Sequence, residues 1–594
     1  MLVLTLFHRN GKVHYVDELK WQSPKPLLLL PPPSLQICAE VVSNKEGVER
    51  RKRALLTILR ETIDVVQNAD NDGYPDLKDI VEQANLLCNA AIAQDDYEIL
   101  GGKQTMEYVL SVINKVPSKD GVPLKVPSPG PWTKSKPPHP RTTPLSRFRD
   151  PVTLTATASE PTAHTIYQGL CEIHHERIEL PTKMQISPDS SLIAISCSAG
   201  KQLDEPVLRL YFPGQNDVSS TRFELGLEDT SREVAIDSER KLIFVADKER
   251  VKSYTWGEGP NGPNLKPIHT LRTPGRYEGS INILPSGRVI RFGTGSVLVW
   301  KIDDLETHGE DGTKMIGQGT FNSRRSPESR SKVELSTGMK AHGKITFKDD
   351  PNYQVKNSVW HNSSRHLLCS EGGPIGSRFS CTALDLEHGG KIVNRYLGFG
   401  GNIPHISLSE GDPNTFVTAC QDGYVRIHDI RHPCPVIALD AEADSILAVL
   451  AATYAHPDGI PTVFTGGNNS ETVAVWDIRA RKLVYDLSTG NTSVTTMVWD
   501  STRSTLYAGT TGMYINDNSE DHGYRAADIP SYLQSEYSES KDEPILWPKK
   551  SPHKENFYGR LFDAGGSSFL RYDFREDANP TVIPRSGRPS ESFN

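Results

Sequence analysis

The sequence lacks the features of membrane and secreted proteins. No apolar run approaches the roughly 20 residues that a membrane-spanning helix needs. The N-terminal MLVLTLF has no basic start and is followed at once by HRNGK, so it is a poor signal peptide. The net charge is only −8, from 66 Lys and Arg against 74 Asp and Glu, which argues against a general nucleic-acid-binding surface. We therefore expect a protein of the cytoplasm, the nucleus or both, without membrane association.

Paired cysteine motifs are absent as well. The eight cysteines are scattered and none forms C-x-x-C, which indicates neither a disulfide framework nor a zinc ribbon. We expect mostly buried thiols in a reducing compartment and no metal site.

The usual catalytic motifs are also missing. There is no G-x-x-x-x-G-K-[ST] phosphate loop, no H-E-x-x-H zinc helix and no G-x-S-x-G nucleophile elbow. His174 and His175 are adjacent, so in a strand they would point to opposite faces, which is poor metal geometry. We expect a protein that is not an enzyme and has no cofactor. An active site hidden in a central channel is the alternative.

What the sequence does have is a repeat of strand endings. Strands such as SVLVWKI and TVAVWDIR end at positions separated by 45, 44, 84, 44, 48 and 96 residues. The repeated positions are Tyr211, Trp256, Trp300, Leu384, His428, Trp476 and Tyr572. Four of the six spacings are close to the 40–45 residues of one four-stranded propeller blade. The large aromatic members are expected to fill the space between neighbouring blades.

The two doubled spacings contain polar segments rather than extra blades. The segments near 303–351 and 514–562 have too little apolar content for four buried strands, so we interpret both as disordered insertions. The count is then seven blades, and the fold class is mainly β. We predict a seven-bladed β-propeller of four-stranded antiparallel blades with a small α-helical N-terminal region.

A second periodicity comes from turn-forming clusters between short apolar runs, which indicate β-hairpins. They are SPDS 187–190, DSER 237–240, PSGR 285–288, HNSS 361–364, EGDP 410–413, HPDG 456–459 and DSTR 500–503. Asp422-Gly423 adds a two-residue turn before YVRIHDIR. The segment TIYQGLCEIHH, ahead of the first blade, is a candidate for the strand that closes the ring.

The strand endings resemble the WD40 family. VWDIR at 475–479 has the family's Trp-Asp ending, and IHDIR and RYDFR are degenerate forms of it, with Asp429, Asp477 and Asp573 at the Asp position. The resemblance covers about 161–580. It implies a propeller whose faces bind other proteins or peptides.

The rest of the chain divides into four segments. Residues 1–43 are expected to be partly extended, and 44–116 form amphipathic helices, as a folded accessory region or a dimerisation or partner-docking element. Ten prolines in 117–151 predict a basic, Pro-rich linker over 117–160. Residues 581–594 are predicted to be a disordered tail. The basic RRKR at 50–53 is either a solvated helical face or a nuclear-import signal.

The function expected from these features is that of a non-catalytic scaffold for protein–protein interaction. Arg431, Arg479 and Arg575 each stand two residues after an Asp. This resembles the WD-x-R pattern of propellers that are substrate receptors of cullin-type ubiquitin ligases, in which the Arg contacts the ligase adaptor. The alternative for these residues is a structural ion pair within the blade. A propeller enzyme and a chromatin or nucleic-acid-associated adaptor are the remaining alternatives.

Overall fold

The computed structural model divides the chain into two units, Met1–Val116 and Pro117–Asn594. It describes residues 7–9, 12–14, 124–125, 139–148, 159–200, 203–215, 218–259, 262–325, 332–347, 351–371, 381–396, 399, 401–432, 435–441, 449–467, 470–512, 523–529, 531, 534, 545–551 and 553–584. The predicted helices of 44–116 lie outside these residues. In the first unit the structure describes one antiparallel hairpin, β1 (Phe7–Arg9) and β2 (Lys12–His14).

The second unit is a seven-bladed β-propeller, which confirms the predicted fold class. Two short strands and a helix precede the blades: β3 (Leu124–Lys125), β4 (Ser146–Phe148) and α1 (Pro161–Gln168). The strand β5 (Cys171–Arg177) follows. The helix ends at Gly169, whose left-handed φ of 63° lets its N–H turn back to the carbonyl of Ile166.

Blades 1 to 3 are four-stranded antiparallel sheets whose strands pair in chain order. Blade 1 consists of β6 (Leu180–Ile186), β7 (Ile193–Ala199), β8 (Glu205–Tyr211) and β9 (Thr221–Glu224). Blade 2 consists of β10 (Glu233–Asp237), β11 (Leu242–Ala246), β12 (Arg250–Gly259) and β13 (Gly262–Arg272). Blade 3 consists of β14 (Ile281–Leu284), β15 (Arg288–Gly293), β16 (Ser296–Lys301) and β17 (Gly343–Thr346).

Blades 4 to 6 repeat this order, and blades 5 and 6 each gain a fifth strand. Blade 4 consists of β18 (Val355–His361), β19 (His366–Glu371), β20 (Cys381–Asp385) and β21 (Lys391–Tyr396). Blade 5 consists of β22 (His405–Leu408), β23 (Thr415–Ala419), β24 (Tyr424–Asp429), β25 (Pro435–Asp440) and the parallel β3. Blade 6 consists of β26 (Val449–Ala455), β27 (Thr462–Gly467), β28 (Thr472–Asp477), β29 (Lys482–Ser488) and the antiparallel β4.

Blade 7 closes the ring with a strand from the other end of the repeat region. It consists of β30 (Ser493–Asp500), β31 (Thr505–Thr511), β34 (Ser568–Phe574) and β5, which pairs with β34 over all seven residues. A separate hairpin, β32 (Tyr524–Ala526) and β33 (Leu546–Pro548), lies between β31 and β34. The first strands of neighbouring blades contact one another around the ring, including β30 with β6. Such closure leaves no first strand without a neighbour.

The repeated positions occupy equivalent places in the blades. Each lies in the third strand of its blade. Six of the seven pack in a hydrophobic cluster with side chains of the preceding blade, and His428 contacts the ring of Tyr396 of blade 4. Trp300, for example, lies with Phe244 and Leu271 of blade 2, and Trp476 lies with Val417 and Ala419 of blade 5. Every predicted turn cluster lies where the first strand of a blade passes into the second. The two periodicities of the sequence therefore mark two fixed places in every blade: the third strand and the turn between the first and second strands.

The insertion after β16 is packed in its described part, which corrects the expectation of disorder there. Ile316 and Ser336 are fully buried. The loop runs along the edge of blade 2, where the Met339 N–H donates to the Thr270 carbonyl at 2.8 Å. It also supplies carbonyl acceptors for the buried guanidinium of Arg250, including that of Ser336 at 3.2 Å. A polar loop becomes ordered here because its backbone satisfies an exposed sheet edge and a buried cation.

The second insertion is also packed where the structure describes it. Trp547 is 3 % exposed, and the ring of Phe557 lies 3.8 Å below the guanidinium carbon of Arg147. The remaining parts of both insertions, and residues 585–594 of the predicted tail, lie outside the described residues.

The Pro-rich segment is likewise docked in its described parts rather than free. Leu145 is fully buried and β4 pairs with β29. The reason is that stretches without proline, such as Ser146–Phe148, can donate backbone hydrogen bonds to the outer strand of a blade.

The five cysteines among the described residues, Cys171, Cys197, Cys369, Cys381 and Cys420, are free and buried. Among the same residues, no helix has the length and apolarity required to cross a bilayer.

Candidate functional site

The ring has two faces that differ in the turns they carry. We call the face at which the first strands begin the upper face; it carries the turns between second and third strands. The lower face carries the turns between first and second strands and those between third and fourth strands. These assignments follow from the antiparallel strand order of every blade.

A cavity of about 640 Å³ lies at the upper end of the central channel. Six of the seven blades contribute to its lining. They contribute the beginnings of first strands, the end of one second strand and loops of the upper face. The lining residues are Leu180, Pro181, Thr182, Lys183, Ser198, Leu203, Asp204, Asp229, Thr230, Arg232, Glu233, Asn357, Pro404, His405, Leu450, Thr495 and Thr496. The volume is in the range of pockets that hold a small ligand or a few side chains of a peptide.

Irregular pairing shapes this end of the channel. The first strands of blades 1, 4, 6 and 7 each have a register shift at their second or third residue. Thr182, Leu450 and Thr495 are the extra residues of three of these bulges, and all three line the cavity. A bulge turns a side chain away from the regular alternation of a strand. The same distortion, repeated around the ring, therefore redirects side chains into the channel mouth.

The floor of the cavity is polar. Lys183 of blade 1 donates through Nζ to Oδ1 of Asn357 of blade 4 at 2.9 Å, so the contact crosses the channel. The amide nitrogen of Asn357 donates to the carbonyl of Ile403 at 3.0 Å, which fixes its oxygen toward Lys183. Lys183 makes no ion pair with any residue that the structure describes. The floor therefore carries an ammonium group whose one described partner is neutral.

His405 stands beside this ammonium group. Its Nδ1 lies 2.7 Å from the carbonyl of Ala452, so this nitrogen carries the proton and donates it. Burial, and then the positive charge of Lys183, lowers the pKa of His405 to about 4. The imidazole is consequently neutral at pH 7 and offers Nε2 as an acceptor.

The rim carries both signs of charge. Asp204, Asp229 and Glu233 are acidic and Arg232 is an exposed base. Asp229 forms an ion pair with Lys248 at 2.8 Å. Burial alone would raise the pKa of Asp229, but the hydrogen bonds from Lys248 and the Thr230 N–H outweigh it and lower the pKa. Among the described residues, no three His, Cys, Asp or Glu side chains converge as metal ligands would.

The three arginines predicted as partner-binding residues lie on the lower face, away from the cavity. Arg431 pairs with Asp429, with its Nε 2.8 Å from Oδ1, and its side chain is 67 % exposed. Arg575 pairs with Glu172 at 2.7 Å rather than with Asp573.

Arg479 differs from the other two. Its backbone N–H donates to Asp477 Oδ1 at 3.0 Å, while its side chain is exposed and makes no hydrogen bond or ion pair with the described residues. The structural alternative, an ion pair within the blade, therefore describes two of the three arginines and not Arg479.

The aspartates of the three endings have structural contacts. Asp429 and Asp477 accept backbone N–H groups of the turn that follows them. Asp573 accepts from the hydroxyl of Thr505 at 3.0 Å and pairs with Arg571 at 2.9 Å. His428, at a repeated position, stacks on Phe416 with ring centroids 5.0 Å apart. It is a packed core residue.

Sequence reasoning missed the residues of the cavity floor. Lys183 and Asn357 are 174 positions apart, and no motif joins them. The only signal in the sequence is positional: both are polar residues in the upper half of a first strand.

No protein-family model matches this chain, and no curated protein matches it significantly.

Proposed function

We propose that the protein is a non-catalytic interaction scaffold of the WD40 type that binds an extended segment of a partner protein at the upper channel mouth. The observation that carries this proposal is the cavity of about 640 Å³, built by six blades and shaped by repeated bulges. A partner segment laid across a propeller face would bury one or two side chains there while its backbone contacts the surrounding loops.

The WD40 assignment is supported by the strand endings. VWDIR, IHDIR and RYDFR all end third strands, and Asp429 and Asp477 both cap the following turn. The packed loop after β16 adds to the upper face, since Arg325 donates through Nε to the Glu228 carbonyl beside the rim at 2.6 Å.

A non-catalytic role is supported by the protonation of the cavity. A general acid or base works best with a pKa near the working pH. The pKa of His405 is too low for that, and the lowered pKa of Asp229 keeps it ionised. Neither group is tuned for proton transfer at neutral pH.

The test is a partner-capture experiment on the full chain in cells. Leu450→Trp fills the cavity with a bulky apolar side chain. Val436→Trp places the same side chain on β25 of blade 5, at a site that is 40 % exposed. Proximity labelling should lose a defined set of partners with Leu450→Trp and retain it with Val436→Trp. Retention of every partner by a Leu450→Trp protein of unchanged melting temperature would refute the proposal.

A second candidate is a substrate receptor of a cullin-type ubiquitin ligase. It is favoured by the exposed side chain of Arg479, which has no hydrogen bond or ion pair with the described residues. If Arg479 contacts the ligase adaptor, Arg479→Ala should abolish co-purification of the adaptor without lowering the melting temperature. Arg431→Ala should retain most of it, because Arg431 is engaged by Asp429. Equal adaptor recovery with both variants and the wild type would exclude this role.

A further inference from the structure

The cavity floor holds a cation, Lys183, that has no counter-ion among the residues that the structure describes. An ammonium group has three N–H donors, and Lys183 uses one of them on Asn357 at 2.9 Å. The neighbouring imidazole of His405 is neutral at pH 7 and supplies no negative charge. Two donors and a full positive charge therefore remain for a ligand, at a site partly withdrawn from water.

The rim restricts which anion can arrive. Asp204 and Glu233 lie on it with a single exposed base, Arg232, and the two carboxylates would repel a ligand with many negative charges. Leu180, at the start of β6, pairs with Ser198, and Lys183 pairs with Ser196, because Thr182 is the extra residue of the bulge. At about 3.3 Å per residue, these two steps place the floor about 7 Å below the start of the strand. A single side chain that protrudes from an extended backbone can cover much of this depth. A ligand segment with many negative charges would be repelled by the carboxylates of the rim.

We infer that the cavity recognises one acidic side chain of an otherwise neutral or basic extended peptide, whose anionic oxygens accept hydrogen bonds from Lys183. This inference rests on the proposed function and names the chemistry of its ligand. Charge-assisted hydrogen bonds are stronger than neutral ones, and they are strongest where water is excluded. The anion is either a carboxylate of Asp or Glu or the phosphate of a modified Ser.

Capped pentapeptides of alanine with one central residue provide the probe. The central residue is Glu, Gln, Lys or phosphoserine, and binding to the full chain is followed by saturation-transfer NMR. We expect the Glu peptide to bind about tenfold more tightly than the Gln peptide, as one charge-assisted hydrogen bond predicts. A pentapeptide with five Glu residues should bind more weakly than the one with a single Glu.

Two variants assign the effect to the floor. Lys183→Met removes the charge at similar length, and Asn357→Asp supplies an internal carboxylate that occupies Lys183. Both should abolish the preference for Glu over Gln. Lys344→Met, an exposed lysine on β17, is the matched control and should leave the preference unchanged.

The outcomes separate this inference from the proposed function. Tighter binding of phosphoserine than Glu identifies phosphate as the source of the anion and supports the inference. Equal binding of the Glu and Gln peptides, or tighter binding of the Lys peptide, overturns the inference of an acidic ligand. If Leu450→Trp abolishes this binding, the proposed peptide site is still supported. Binding of every peptide unaffected by Leu450→Trp overturns both.

Discussion

The buried carboxyl group of Asp563 predicts that stability falls as the pH rises. Asp563 is 2 % exposed, and its Oδ1 accepts a hydrogen bond from Nδ2 of Asn491 at 3.0 Å. Its Oδ2 is buried without a hydrogen-bond partner among the described residues. Burial raises the pKa of Asp563 to about 7, from an ordinary value of 3.8, because the charged form loses water that the protein does not replace.

The direction of this pH dependence follows from proton linkage. The folded protein holds this proton more tightly than the unfolded chain, so the free energy of unfolding decreases from about pH 4 to pH 7 and is level above that. A shift of about three pKa units corresponds to about 4 kcal/mol at most, at 1.36 kcal/mol per unit. About 2–3 kcal/mol of this change falls between pH 5 and pH 8.

Asp563→Asn tests this reasoning because the amide keeps the acceptor for Asn491 and cannot ionise. Denaturation by urea, followed by tryptophan fluorescence at pH 5, 6, 7 and 8, measures the free energy of unfolding of variant and wild type. The advantage of the variant should grow by about 2–3 kcal/mol from pH 5 to pH 8. An advantage that stays constant over this range would refute a raised pKa at Asp563.

Glu555 is the matched control in the same insertion because its shift has the opposite sign. Burial alone would raise its pKa, but the hydrogen bond from Arg525 outweighs this and lowers the pKa to about 2. Glu555→Gln should therefore cost stability throughout pH 5 to 8, without the increase toward high pH that Asp563→Asn shows.

Three further substitutions test the packing. Glu334→Gln removes the carboxylate that lies 3.6 Å from the buried ammonium of Lys252, whose pKa is lowered by burial to about 8. It should lower the free energy of unfolding in urea by about 2–4 kcal/mol. An unchanged free energy would show that this pair is not stabilising. His428→Phe replaces a buried imidazole whose two nitrogens have no hydrogen-bond partner among the described residues, and should raise stability by about 1 kcal/mol at pH 7. A lower melting temperature for His428→Phe would indicate an unseen partner of the imidazole. Gly466→Ala would place a Cβ 2.5 Å from that of Val494, at the contact between blades 6 and 7, and should cost about 1–3 kcal/mol in calorimetry; a neutral result would mean that the two blades can separate slightly.

The blades could be predicted because their information is local. A residue such as Trp300 ends a third strand, and a turn such as PSGR 285–288 joins the first strand to the second, within one period of the repeat. Pairing between consecutive strands repeats this pattern in six blades, and blade 7 differs only in the strands β34 and β5 that complete it. The closing strand was also visible, because CEIHH stands one strand ahead of the first complete blade.

The docked loops could not be predicted from composition. The loop after β16 is polar and Gly-rich, and it is ordered by what it covers: the edge of β13 and the guanidinium of Arg250. The cavity floor was hidden for a similar reason, since Lys183 and Asn357 meet only when blades 1 and 4 face each other across the closed ring. Both features depend on partners distant in sequence, about which a local pattern carries no information.

The pairing of β5 with β34 has a consequence for synthesis on the ribosome. Arg177 ends β5, and Ser568 begins the strand that pairs with it, about 390 residues later. At about 5–20 residues per second, β5 emerges roughly 20–80 seconds before its partner exists. Throughout that interval its backbone donors and acceptors are open to other strands. A nascent chain that stops before Ser568 can complete six blades but cannot close the ring. The backbone of β5 stays available for aggregation until β34 has been synthesised.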